Sequence, residues 1–301
     1  MPPLTELEAS VADGVDLDQR GERIEVSRSV LHDLGLRSPD KTVAGSRMQV
    51  RVVRSSEQLG SHHDVLYTVA QISPGAGHEI RMGQKAQARI ARGATERVRI
   101  TRHVLYADLE QSYHVPPGAQ VAVLAPHGGQ LEDPTEIQVD RVVRDPRFSA
   151  SRWACLGHGG DEDQRLHITS DDLSEHSFSG LGALLGVHHR YAVSFHGFKT
   201  VANGCQVIVG GRADETDKNL RDDVAARIRS GLKPLGVAPE LVHVPRRSTE
   251  QFAGMARDNV VNRVATAGLQ IEQSRALRNR PGAPDAVAEA VADALVARLP
   301  H

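Results

Sequence analysis

Aromatic side chains make up only 3% of the 301 residues, and the chain carries just two cysteines and one tryptophan. So few flat rings leave little for nucleic-acid bases to stack on. The formal net charge of −2 supplies no global basic field for a phosphate backbone. Long apolar runs are missing too: no stretch approaches the roughly 18 continuous residues of a membrane span. The start, Met1-Pro2-Pro3-Leu4-Thr5-Glu6, lacks the basic and apolar regions of a secretory signal. Cys155 and Cys205 have no C-x-x-C spacing, so both read as buried thiols rather than as metal ligands or a disulfide. No G-x-x-x-x-G-K-[ST] loop occurs, and Gly210-Gly211 is too sparse for a dinucleotide fingerprint.

At this length the chain can bury a large core and is expected to hold two domains. From about Val15 to Tyr113 the pattern is mostly β. Met48 to Val52, Lys85 to Ile90 and Arg97 to Ile100 alternate apolar and polar residues between turn-forming stretches. That layout predicts a small barrel, double-psi-like in outline, with a short helix over Ser27 to Leu36. The segment Gln111 to Gly118, containing Pro116-Pro117-Gly118, reads as a linker. Beyond Ala119 strands and helices alternate, which predicts an α/β layer structure. Strands are expected at Val121–Ala125, Trp153–Leu156, Ala192–Phe195, Val207–Val209, Leu241–Val244 and Leu269–Glu272. Helices are expected at Thr135–Val143, Phe178–Leu185, Thr216–Leu232 and Asp285–Leu299, the last with Asp285 as its N-cap.

Within this half one stretch carries chemistry. The apolar run Val121 to Ala125 leads into Pro126-His127-Gly128-Gly129-Gln130-Leu131-Glu132. Its two glycines let the backbone turn sharply, so that His127 and Glu132 can meet at one ion. A second apolar run, Tyr191 to Phe195, delivers His196-Gly197. Two histidines and a glutamate make the His₂Glu set of a catalytic zinc site with a fourth position for water. Glu136 is a rival carboxylate. The pairs His62-His63 and His188-His189 are adjacent in sequence and point apart, and His158 sits in a glycine-rich loop. Arg89, Arg92, Arg97, Arg99 and Arg102 share strand faces only in part, and read as a solvated surface.

Five blocks, in order, resemble the phage-borne poly-γ-glutamate hydrolase family, a group of zinc enzymes with a carboxypeptidase-like α/β core. They are Pro126 to Glu132, Arg165 to Ser170, Ala192 to Lys199, Asp258 to Arg263 and Gly268 to Ser274. The resemblance implies a mixed sheet sandwiched by helices over residues 116–301, preceded by a β-rich domain, 1–115, whose role it leaves open. It implies His127, Glu132 and His196 as Zn2+ ligands and Glu272 as the catalytic carboxylate. Arg165, His167, Asn262 and Arg263 become candidates for gripping an anionic glutamyl polymer or peptide, a task suited to the planar arginine fork. Gln130 and Leu131 stand where the family pattern has glycine and isoleucine, and the segment from Glu132 to Glu136 is one residue shorter.

The implied activity is zinc-dependent hydrolysis of γ-glutamyl amide bonds by a cytoplasmic or phage-associated protein. Two alternatives stay open. One is a zinc amidase, deacylase or peptidase acting on another glutamyl, N-acyl amino acid or peptidoglycan-stem substrate. The other is a non-catalytic phage-related binding protein. Oligomeric state is not legible.

Overall fold

The computed structural model describes residues 6–35, 48–58, 64–74, 77–90, 97–158, 165–201 and 204–299. His62-His63, Arg92 and the turn at Ser38 to Lys41 lie outside the described residues. Contacts divide the chain into two units, Met1–Glu110 with Gly157–Phe178, and Gln111–Leu156 with Ser179–His301.

In the first unit the alternating segments fold into β1 (Glu6–Asp13), β2 (Arg23–Ser27), β3 (Gln49–Arg54), β4 (Val65–Ser73), β5 (Glu79–Met82) and β6 (Arg97–Thr101). They close into a barrel in the order β1-β5-β2-β4-β3-β6. Pairs β1–β5 and β2–β4 are parallel, whereas β1–β6 and β3–β4 are antiparallel. Closure satisfies both edges of the sheet, and Ile24, Val50, Val52, Tyr67, Val69 and Ile100 fill the interior. The expected short helix is α1 (Arg28–Asp33), capped by Ser27, whose Oγ accepts from the Val30 N–H. Lys85 to Ile90 departs from expectation: it is a helix, α2 (Gln84–Ile90), not a strand. Alanine-rich alternation fits both periods, and burial of Ala86 and Ile90, four residues apart, together with alanine's helix propensity selects the helix. Arg97 pairs with Glu8 and Arg99 with Glu6 across the β1–β6 ladder, so these arginines form no continuous basic face.

Gly157–Phe178, which the sequence places with the α/β half, belongs to the first unit. Its side chains find their partners there. Arg23 grips Asp172 with two bonds of 2.7 and 2.9 Å, and Gln49 Nε2 donates to the Asp172 carbonyl at 2.7 Å. Arg165 joins a buried cluster in which Arg51 bonds Asp64 and Asp108, each at 2.9 Å, while Arg165 reaches the same carboxylates at 3.3 and 3.4 Å. Two guanidinium groups against two carboxylates leave that cluster neutral, the condition for burying charge. His167 Nδ1 lies 2.7 Å from Glu22 Oε1.

Glu22 makes the first unit acid-sensitive. Burial pushes its carboxyl up, but His167, by charge and hydrogen bond, together with Arg89 and Arg20, brings it from 4.5 down to about 2. A depressed carboxylate contributes stability above its unfolded value, and that contribution is lost as pH falls through the folded one. The loss therefore lies between about pH 4.5 and 2, and its size is on the order of 3 kcal/mol. Denaturation curves collected across that window should show this slope, and Glu22→Gln should flatten it. An unchanged slope in the variant would exclude Glu22 as the source.

The second unit is a seven-stranded mixed sheet with helices, as the α/β pattern predicts. Its strands are β7 (Leu109–His114), β8 (Val121–Gly129), β9 (Ala150–Gly157), β10 (His189–Phe198), β11 (Val207–Gly211), β12 (Val242–His243) and β13 (Ala265–Ser274). They run in the order β12-β11-β13-β10-β8-β9-β7. The presumed linker at Gln111 thus contains an edge strand, β7. Strands β8, β10 and β13 are mutually parallel, and β11 is antiparallel to β13. Val121 to Ala125 is continuously apolar because a central strand is buried on both faces.

The helices are α3 (Thr135–Val143), α4 (Ser179–Leu185), α5 (Leu220–Leu232), α6 (Val260–Val264), α7 (Arg275–Arg278) and α8 (Ala283–Val296). Helix α5 starts four residues later than expected, and a 3₁₀ turn, Ala213–Glu215, precedes it. Helix α8 begins earlier, with Gly282 rather than Asp285 as N-cap. Pro284 has no N–H to lose and fits the first turn, so the helix extends past it and leaves Asp285 inside. Cys155 and Cys205 are buried and not joined in a disulfide.

Candidate metal centre

Parallel strands bring their carboxyl ends to one edge of a sheet, where ligands of open α/β sheets commonly bind. The β8–β10 ladder ends at Ser194 opposite Leu124, and His127 and His196 lie just past it on the same two strands. On β13 Glu272 pairs in register with His196, so the two side chains leave the same face of the sheet. The loop after β8 returns at once: Gly129 takes φ of 66°, a left-handed conformation that favours glycine. Glu136, the rival carboxylate, accepts the Gly129 N–H at 3.0 Å and braces this loop from the first turn of α3.

The second unit by itself assembles three donors into a tight triangle. His127 Nδ1 is 3.2 Å from Glu132 Oε2, His196 Nδ1 is 3.5 Å from the same oxygen, and the two ring nitrogens are 3.3 Å apart. Tetrahedral ligands about 2.0–2.1 Å from a zinc ion stand about 3.3 Å from one another. The donors are thus spaced as three corners of such a tetrahedron. All three residues are buried. Burial pushes the Glu132 carboxyl up, but His127 and His196 outweigh it and hold it well below the usual carboxylate range. Burial also pulls His196 below its ordinary value, against the opposing influence of Glu132. An anionic carboxylate beside a neutral imidazole is the protonation state that a divalent ion requires.

Around the triangle the fold supplies positioning contacts. The Gly197 N–H donates to Glu132 Oε2 at 2.9 Å and orients the carboxylate. Glu272 is buried and receives the Gln270 side-chain N–H at 3.0 Å, and the Gln270 oxygen accepts from Asn259 Nδ2 at 2.8 Å. Asn259 also caps α6, its side chain accepting from the Val261 N–H. This amide chain holds the Glu272 carboxylate from behind. Nothing in their local pattern marks Gln270 and Asn259 as positioning residues. Their signal was their presence in the family-like blocks, beside residues that drew more attention.

Arg278, at the end of α7, is buried, and its guanidinium donates to the carbonyl oxygens of Asp133 and Gln273. It lies so close over Gly197 that a Cβ there would come within 2.4 Å of it. Burial draws Arg278 below its ordinary value, while Glu132, Asp133 and Glu272 act in the opposite direction.

The remaining residues named from the sequence are placed as follows. Asn262 is committed to its own loop, donating to the Gly254 and Ala256 carbonyls at 2.7 and 2.8 Å and accepting the Arg212 N–H. Arg263 is half-buried on α6. Arg165 and His167 are held in the first unit by the contacts given above. His189 is buried against Ser151 and the Val264 carbonyl, a structural arrangement.

The family model for poly-gamma-glutamate hydrolase matches residues 105–281. The UPF0714 protein YmaC of Bacillus subtilis (strain 168) is 31% identical over 173 residues, which are 57% of this chain and 64% of that protein. The matched region thus spans less than two thirds of that relative's length. Among solved structures, a bacteriophage poly-gamma-glutamate hydrolase aligns at 26% identity and a TM-score of 0.49, covering 64% of this chain and 89% of that one. Zinc-free apo YNDL aligns at 22% identity and a TM-score of 0.46, covering 63% and 90% respectively.

Proposed function

This chain belongs to the poly-gamma-glutamate hydrolase family, and on that basis we propose that it hydrolyses γ-glutamyl amide bonds with a zinc ion held by His127, Glu132 and His196. The observation that carries the reading is the 3.2–3.5 Å triangle of their donor atoms. When bound, zinc at such a site acidifies water and polarises the amide carbonyl. Glu272 is the proton carrier. Its carboxylate takes a proton from the attacking water as the C–O bond forms, and returns it to the nitrogen as the C–N bond breaks. Gln270 and Asn259 keep that carboxylate aimed. Burial of the group holds proton transfer within the site rather than in bulk water. The peptide-like product leaves as an amine and a new γ-carboxylate.

Purified protein should contain zinc near one equivalent and should shorten poly-γ-glutamate, with chelation stopping the reaction. The same preparation should be assayed on N-acyl amino acids and peptidoglycan-stem peptides. Zinc at one equivalent with cleavage only of those would reassign the substrate. Full activity after chelation would remove the metal from the mechanism.

A further inference from the structure

The guanidinium of Arg278 is the feature that the proposed reaction does not use. Its residue is 8% exposed. Among the described residues its hydrogen bonds go to two carbonyl oxygens, and it makes no ion pair within 4.0 Å. A buried cation is ordinarily matched by a carboxylate at contact distance, because neutral carbonyls offset only part of the desolvation cost. The acids that act on it from beyond contact distance are Glu132, Asp133 and Glu272, of which the first is assigned to the metal and the last to the water. A Cβ built at Gly197, the residue after His196, would come within 2.4–2.5 Å of the guanidinium, so this charge lies against the strand that carries His196. Two of the five guanidinium donors are used, by Gln273 and Asp133. The donors that remain are those of a planar fork of the kind that grips a carboxylate with two parallel bonds.

We propose that Arg278 is the substrate-carboxylate anchor of this centre, taking the free α-carboxylate of the glutamyl unit next to the scissile γ-amide. The inference rests on the hydrolase reading above, which supplies a substrate with one such carboxylate per unit. It explains why the cation is buried next to the donors rather than solvated on α7: an anchor must be dry to be strong. It also separates Arg278 from Glu272. One holds the chain and the other moves the proton.

The test uses zinc-loaded protein carrying Glu272→Gln, so that bound substrate persists. Two probes are titrated by calorimetry: a short γ-linked glutamate oligomer, and the same oligomer with its α-carboxylates converted to primary amides. Adding Arg278→Gln should weaken the carboxylate probe on the order of 10–100-fold, the scale of charge-assisted bonds. It should leave the amide probe within about twofold. Arg278→Lys, which keeps the charge and loses the fork, should fall between. Binding of the amide probe also reports that the variants remain folded. Equal losses for both probes, or no preference for the carboxylate in the parent protein, would overturn the assignment. In turnover with Glu272 intact, Arg278→Lys should raise KM with kcat nearly kept, whereas a fall in kcat at constant KM would also overturn it. If the wild-type protein leaves poly-γ-glutamate intact, the hydrolase reading fails, and the two-probe comparison still decides Arg278.

Discussion

Glu132→Ala is expected to strip the protein of zinc and, with it, of hydrolytic activity. Glu132 is the one anionic corner of the donor triangle, and its Oε2 lies within 3.5 Å of both imidazole nitrogens. Removing it leaves two neutral ligands and an unfilled volume where the carboxylate met the Gly197 N–H. Loss of an outer partner of a metal ligand costs roughly 10–100-fold in affinity, and loss of a ligand itself should exceed that. Metal analysis after gel filtration measures the effect directly. Zinc retained at one equivalent in the variant would mean that the ion is held elsewhere. A melting curve should show that the apo variant still folds, because the sheet core beneath the loop is built from Val121, Val123, Tyr191, Phe195, Leu269 and Ile271 and not from the metal.

Glu272→Gln should produce the complementary result. Turnover is expected to fall by roughly 10²- to 10⁴-fold, the range for a removed general base, while zinc content stays at the wild-type level. Glutamine keeps the size of the side chain and can still hydrogen-bond Gln270, so packing against β10 and β11 should survive. What disappears is an atom able to accept a proton from water. Together the pair of variants dissects the site: one removes metal and activity, the other activity alone. A Glu272→Gln protein with undiminished kcat would move the proton carrier to another residue.

The two candidate histidines, His127 and His196, were legible because each stands at the end of an apolar run next to glycine. Val121 to Ala125 and Tyr191 to Phe195 are buried strands for the same reason that they read as strands, and as parallel neighbours in the mixed sheet they end on the same side. Lys85 to Ile90 reads as a strand because alanine alternation satisfies two periods at once, and only burial selects the helix. The affiliation of residues 157–178 was hidden for a different cause. Arg165 and Asp172 take partners at positions 64, 108, 23 and 49, and no local pattern encodes pairings that span 57 to 149 residues. Arg278 lies on a short helix after a strand, where a basic residue usually faces water, yet it is buried. It became meaningful only when β10 laid Gly197 beneath it.

By itself, the sequence determined which side chains stand at strand ends, and therefore which chemistry was available, because hydrophobic periodicity and glycine act over a few residues. The tertiary structure alone decided their distances, which unit the inserted segment joined, and which arginine was buried without a carboxylate. Those are outcomes of long-range packing, where one side chain's environment is made by residues far along the chain.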